Sequence, residues 1–176
     1  MNVNELMVRD VATCSVWDDL NRAAQLMWEN DCGIVPVVEG DDRLIGVISD
    51  RDAFMAAYTK GLPLGAIRVG DVMSRELSAC RPEDDVGDLI TSMRTHRVRR
   101  LPVVDEQGRL VGIVSLSDVA RRAAFERGGA GKGLRLESVA EALAAICEPW
   151  SGGSDEDVVS GLVGASRRGV ARDRRG

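Results

Sequence analysis

The sequence predicts an α/β fold made of two tandem strand-helix-strand-strand-helix units, and three observations carry that prediction. The chain repeats itself at an offset of 66 residues. Each copy passes from helical periodicity to two short β-branched runs and back to helix. Hydrophobic residues make up 44% of the 176, which is ordinary material for a core.

The repeat is clearest from 36 to 52, where eight of 17 positions recur 66 residues later. Pro36-Val37-Val38 returns as Pro102-Val103-Val104, Arg43-Leu44 as Arg109-Leu110, Gly46 as Gly112, Ser49 as Ser115 and Asp52 as Asp118. Asp18-Asp19, Met27 and Cys14 recur as Asp84-Asp85, Met93 and Cys80. Asp10-Val11 matches Asp71-Val72 only at an offset of 61, which reads as five residues missing from the first copy and an opening strand that is shortened or irregular.

In chain order, Asp18 or Asp19 supplies an N-cap for a helix reaching about Asn30, with Leu20, Ala23, Ala24 and Met27 on one face. The stretch from Val86 to His96 repeats it behind Asp84. Ile34–Val38 and Leu44–Ile48 are short apolar runs joined by Glu39-Gly40-Asp41-Asp42, the composition of a hairpin. Leu101–Val104 and Leu110–Val114 mirror them around Glu106-Gln107-Gly108. Helical patterns follow Ser49 and Ser115. Beyond the Gly-rich stretch, Leu136, Val139, Leu143, Ile146 and Cys147 define one face of a helix that Pro149 stops, and burial of that face on its own module is expected. The predicted organisation is a first repeat at 1–60, a linker at 61–67, a second repeat at 68–127, a Gly-rich linker at 128–135, a helix at 136–148 and a disordered tail at 149–176.

Composition excludes several function classes. With 28 acidic and 23 basic residues the net charge is −5, which argues against whole-domain affinity for nucleic acid or an anionic membrane. No apolar run is long enough to span a bilayer and the N-terminus has no signal-peptide pattern, so a cytoplasmic location is expected. Cys14, Cys32, Cys80 and Cys147 form no C-x-x-C and read as small hydrophobes. His96 is the only histidine and lies among arginines, and no nucleotide-binding glycine loop, zinc-protease motif or nucleophile triad is present. The chain does not read as an enzyme, and no cofactor is expected.

Taken together and in order, P-V-V, L-h-G-h-h-S and S-x-x-D in two copies resemble a pair of CBS domains, the Bateman module, over about residues 5–127. The resemblance implies two βαββα units in one pseudo-two-fold body, an adenosine-containing ligand in clefts between the repeats, and two modules associating into a disc-shaped homodimer.

The S-x-x-D pairs have a physical reading of their own. A Ser ending a strand, with an Asp three residues on in the first helical turn, gathers a hydroxyl, free backbone N–H groups and a carboxylate at one helix N-terminus. A carboxylate can accept from both ribose hydroxyls while Ser and the amides take phosphate, which nominates Ser49 with Asp52 and Ser115 with Asp118. Alternatively, both acids simply complement the helix dipole, worth about 0.3–1 kcal/mol.

Pro36 and Pro102 each remove a ladder donor and can leave neighbouring backbone for an adenine edge. The resemblance implies a base slot formed by Gly33, Ile34 and Val35 in one copy and Cys80, Arg100 and Leu101 in the other; all could equally be core and edge residues. It further implies that Arg100 faces the opposite repeat's Ser49, Arg51 and Asp52, making a site for a charged nucleotide, whereas the Ser115/Asp118 site, facing Ile34, is weaker, empty or suited to less phosphate. A solvated basic face of Arg97, Arg99 and Arg100 is the alternative.

The expectation is therefore a regulatory module that binds an adenosine-derived ligand (AMP, ADP, ATP or S-adenosylmethionine) and relays occupancy to an effector protein. Two other classes stand beside it: a zinc or thiol-redox sensor through Cys14 and Cys80, and a nucleic-acid-associated protein using Arg167, Arg168, Arg172, Arg174 and Arg175.

Overall fold

A computed structural model describes residues 1–126 and 136–148. The Gly-rich linker and the tail, with its arginines, lie outside the described residues. The first repeat contributes helix α1 (Leu20–Glu29), strands β1 (Ile34–Glu39) and β2 (Arg43–Ser49), and helix α2 (Asp50–Lys60). The second contributes α3 (Val86–Thr95), β3 (Arg100–Val104), β4 (Leu110–Ser115) and α4 (Leu116–Glu126), and α5 (Leu136–Cys147) follows.

Local chemistry sets the element boundaries. Of the two candidate caps, Asp19 is the one that starts α1, its carboxylate accepting from the Arg22 N–H at 2.9 Å, and Asp85 caps α3 by accepting from Gly87 N–H at 2.7 Å. α2 ends at Gly61, whose φ of 63° is the left-handed conformation that glycine adopts without strain. β1 and β2 form one antiparallel hairpin and β3 and β4 another, each with a register shift at an equivalent point, Val37/Val38 and Val103/Val104. Proline is tolerated at Pro36 and Pro102 because each sheet has only two strands, so both strands have an open edge.

The opening strand of each unit takes an unexpected form. It is an extended segment touching its neighbours at single bridges: Cys14 with Val37 and Cys80 with Val103 inside the repeats, Val8 with Ile113 and Ser74 with Val47 between them. Val8 and Ile113 exchange N–H···O bonds of 2.9 Å, and Val47 and Ser74 exchange bonds of 3.0 and 2.9 Å. The opening segment of each repeat therefore pairs with the hairpin of the other.

These contacts correct the reading of a five-residue deletion. Val3 N–H donates to Asp84 O and Val69 N–H to Asp18 O, while Met7 lies against Gly112 and Met73 against Gly46. The pairs Val3/Val69, Met7/Met73 and Cys14/Cys80 all keep the offset of 66, so nothing is missing; the Asp-Val match at 61 is a chance dipeptide.

Each repeat has its own core. Leu20, Ala23, Val35, Val37, Ile48, Ile67 and Val69 centre the first; Leu89, Met93, Leu101, Val103, Val114, Val119 and Val3 centre the second. Val139 and Ala142 bury the inner face of α5 in the second core, as expected of its apolar stripe.

Gly46 and Gly112 are glycine for want of space. A Cβ at Gly112 would stand 2.9 Å from both Met7 Sδ and the Val8 carbonyl oxygen, and one at Gly46 would stand 3.0 Å from the Ser74 oxygen. Gly112→Ala is expected to lower stability by about 1–3 kcal/mol, as overpacking against backbone does, measured as a lower midpoint in urea or thermal unfolding.

Candidate functional site

The two S-x-x-D pairs form closed capping boxes. At the start of α2, Ser49 donates its N–H (3.0 Å) and its hydroxyl (2.7 Å) to Asp52 Oδ2, while Asp52 N–H donates to Ser49 Oγ at 3.2 Å. At α4, Ser115 donates its N–H (2.8 Å) and hydroxyl (2.5 Å) to Asp118 Oδ2, and Asp118 N–H returns a bond of 3.2 Å. The helix-start reading thus accounts for one oxygen of each carboxylate.

The second oxygen separates the copies. Asp118 Oδ1 is taken by the guanidinium of Arg121, an i,i+3 pair on the same helix, and Ser117 Oγ lies 2.7 Å from Ser115 Oγ. Among the described residues, Asp52 Oδ1 has no such partner: the position 66 residues before Arg121 is Met55. The Arg121 brace and Ser117 were missed from the sequence, although the Asp118-x-x-Arg121 spacing signals the former.

The other nominated residues divide by burial and register. β1 sets Ile34 opposite Ser49, and β3 sets Arg100 opposite Ser115 in its own hairpin. Arg100 is half-buried, and among the described residues no hydrogen bond or ion pair joins it to Ser49, Arg51 or Asp52. Arg51 is exposed beside Asp52. Gly33 receives Asp50 N–H on its carbonyl at 3.1 Å. Val35 (0% exposed) and Leu101 (1%) are core residues of their repeats.

Cys14 and Cys80 are also packing groups. Both are buried, and each sulfur lies near the proline carbonyl of its own repeat, 3.9 Å from Pro36 O and 3.7 Å from Pro102 O. Burial pushes both thiols up to about 12, helped by Asp18 near Cys14 and Asp84 near Cys80. They belong to different cores, and among the described residues no three His, Cys, Asp or Glu side chains gather to hold a metal. No described helix is long and apolar enough to cross a membrane.

Two repeats exchanging their opening segments, with a capped S-x-x-D helix in each, define a tandem regulatory-domain architecture. The CBS domain family model matches residues 3–58 and 69–124, and the chain belongs to that family. It is 40% identical over 119 residues to the CBS domain-containing protein YhcV of Bacillus subtilis, covering 68% of this chain and 83% of that protein. It is 30% identical over 147 residues to Hypoxic response protein 1 of Mycobacterium tuberculosis, covering 84% and 94%. A 30% match to the inosine-5′-monophosphate dehydrogenase of Methanocaldococcus jannaschii spans only 27% of that enzyme. Among solved structures, Hypoxic Response Protein I with two coordinated zinc ions superposes with a TM-score of 0.63 at 32% identity, over 69% of this chain and 98% of that one. The CBS domain pair of protein MJ0100, in complex with 5′-methylthioadenosine and S-adenosyl-L-methionine, shares the fold with a TM-score of 0.64 at 20% identity, over 72% and 98%.

The burial of two thiols generates a direct prediction. At pH 8 a thiol titrating near 12 is ionised in only about one molecule in ten thousand. Native protein is expected to yield two fast-reacting thiols to a disulfide reagent, Cys32 and Cys147, and all four after denaturation.

Proposed function

We propose that this chain is a regulatory module that binds an adenosine-derived ligand between its two repeats, chiefly at the Ser49/Asp52 helix start, and passes its occupancy to a partner protein. The observation that carries this reading is the open second oxygen of Asp52 in a CBS pair whose other equivalent carboxylate is already braced by Arg121. A ribose hydroxyl can reach Asp52 without breaking the cap, whereas at Asp118 it must displace a guanidinium. The complex of protein MJ0100 with methylthioadenosine and S-adenosylmethionine supports the ligand class at the level of the shared fold.

In this reading phosphate, where the ligand has it, goes to the helix amides and to Arg51 and Arg100, and the base to the apolar segments around Gly33, Ile34, Cys80 and Arg100, with Val35 and Leu101 behind them. ATP, ADP, AMP and S-adenosylmethionine all satisfy the ribose and base contacts. A ligand held by both repeats favours the arrangement in which they grip it, and the shift is as large as its differential affinity for that arrangement. The module works without catalysis of its own, in the cytoplasm, as a homodimer. No residue constellation favours the zinc reading over packing for Cys14 and Cys80.

Thermal unfolding against the adenosyl compounds, with guanosine nucleotides and zinc as controls, tests the proposal. A ligand at 100 times its dissociation constant adds about 2.7 kcal/mol, or roughly 5–10 °C at this chain length. One adenosyl compound is expected to give that shift in the native protein and in Asp118→Ala, and no shift in Asp52→Ala. A shift lost only in Asp118→Ala, or a response to zinc alone, overturns it.

A further inference from the structure

The outer faces of the two helix pairs are built on the same plan yet finished differently. Between α1 and α2 lies an open cavity of about 680 Å³ whose lining includes Ala24, Met27, Trp28, Asp50, Phe54 and Ala57. Three aromatic side chains project from this face into solvent: Trp28 is 88% exposed, Phe54 69% and Tyr58 76%.

On the second repeat the equivalent groove is closed. Ile90 and Leu116, which stand where Ala24 and Asp50 stand in the first, are only 7% and 6% exposed. The same core holds Val139, Ala142 and the half-buried Ile146, all from α5 and spaced on one helical face. No counterpart of α5 follows α2, because the chain after Gly61 runs as the linker whose Leu64 and Ile67 pack against the first core on the way to the second repeat. The knobs differ as well: Arg94, Ala120 and Ala124 replace Trp28, Phe54 and Tyr58.

We propose that α5 plugs the helical groove of the second repeat, and that two copies of this chain associate through the open α1/α2 faces of their first repeats alone. The inference rests on the homodimer reading above and names the surface that makes the dimer. It departs from a disc in which both helix pairs of each module meet the other module.

A second copy is the occupant that the α2 stripe fits. Asp50, Phe54, Tyr58 and Leu62 recur every four residues, so they form one row, with carboxylates at the N-terminal end and Lys60 at the C-terminal end. A two-fold contact is self-complementary and runs such a row antiparallel to its copy. Phe54 of one chain then packs on Tyr58 of the other, and the acidic end meets Lys60 twice. Large aromatics surrounded by charges at the rim have the composition of an interface centre.

Light scattering on the full chain reads the assembly against the 19.0 kDa chain mass. The native protein is expected at twice that mass, with Phe54→Glu and Tyr58→Glu weakening association at least tenfold and Ala124→Glu, the matched change on the second repeat, leaving it unchanged. Hydrogen exchange at two concentrations provides a readout free of substitutions: dimerisation slows exchange in residues 20–29 and 50–60 and leaves 116–126 alone. A dimer that resists both first-repeat substitutions, or whose concentration-dependent protection lies on α4, overturns the proposed surface while leaving the homodimer standing. A monomer at all concentrations overturns both, and ligand binding is decided separately by the thermal shifts.

Discussion

Backbone contact between each repeat's opening segment and the other repeat's hairpin is the constraint on which the rest of this structure depends. Met1 O receives Val86 N–H, and Val3, fully buried, belongs to the second core although it is the third residue of the chain. Reciprocally, Leu20 N–H donates to Ile67 O, and Ile67 and Val69 complete the first core from beyond the end of its last helix. Neither repeat closes its core with its own strand-helix-strand-strand-helix segment, so each is stable only with the other present. The hairpin turns add a second tie, Leu44 N–H to Gly108 O and Leu110 N–H to Asp42 O. The close approach admits no side chain at Gly46 or Gly112, which gives the glycine of the L-h-G-h-h-S motif a steric cause.

That architecture makes the helix starts suitable for sensing. α2 and α4 begin immediately after the strands that receive the exchanged segments, so Ser49 and Ser115 are fixed by hairpin register on one side and by a capping box on the other. Oδ2 of each Asp is committed to the cap, and ligand chemistry falls to Oδ1. A single difference downstream, Met55 against Arg121, decides whether that atom is available. Two sites with the same backbone thereby acquire different electrostatics: one carboxylate is ready to accept hydroxyls and the other is already neutralised by a neighbour.

Much of this was legible in the sequence, and the exceptions have physical causes. The hairpins, all five helices and the capped S-x-x-D pairs follow from local rules, namely β-branched runs, cap residues and helical spacing. The opening segments were harder, because their partners are 39 to 105 residues away in sequence, as in Val47 with Ser74 and Val8 with Ile113, and an extended chain held by single bridges carries no periodicity. The false deletion arose there for the same reason: Asp10-Val11 is a short polar match, whereas Val3/Val69 and Met7/Met73 show their equivalence only through burial and contact. Arg100 shows the limit of carrying a family expectation across: its cross-strand neighbour is Ser115, and that pairing follows from register alone.

Internal symmetry explains why the copies could diverge so far without disturbing the fold. Positions that the exchanged segments or the caps require (Gly46/Gly112, Ser49/Ser115 and Asp52/Asp118) are identical in both copies. Positions on the outer helical faces face no such demand, and there Trp28 answers to Arg94, Asp50 to Leu116 and Phe54 to Ala120. An exposed Asp at 50 is compatible only with an open groove; a Leu at 116 must be covered to be stabilising, since a buried leucine side chain gains about 1.5–3 kcal/mol over an exposed one. The chain supplies that cover from α5, whose apolar residues would otherwise face water. One face therefore spends its hydrophobic surface within the molecule while the other keeps three aromatics in solvent, and a pseudo-symmetric body acquires a single direction in which it can recognise another surface.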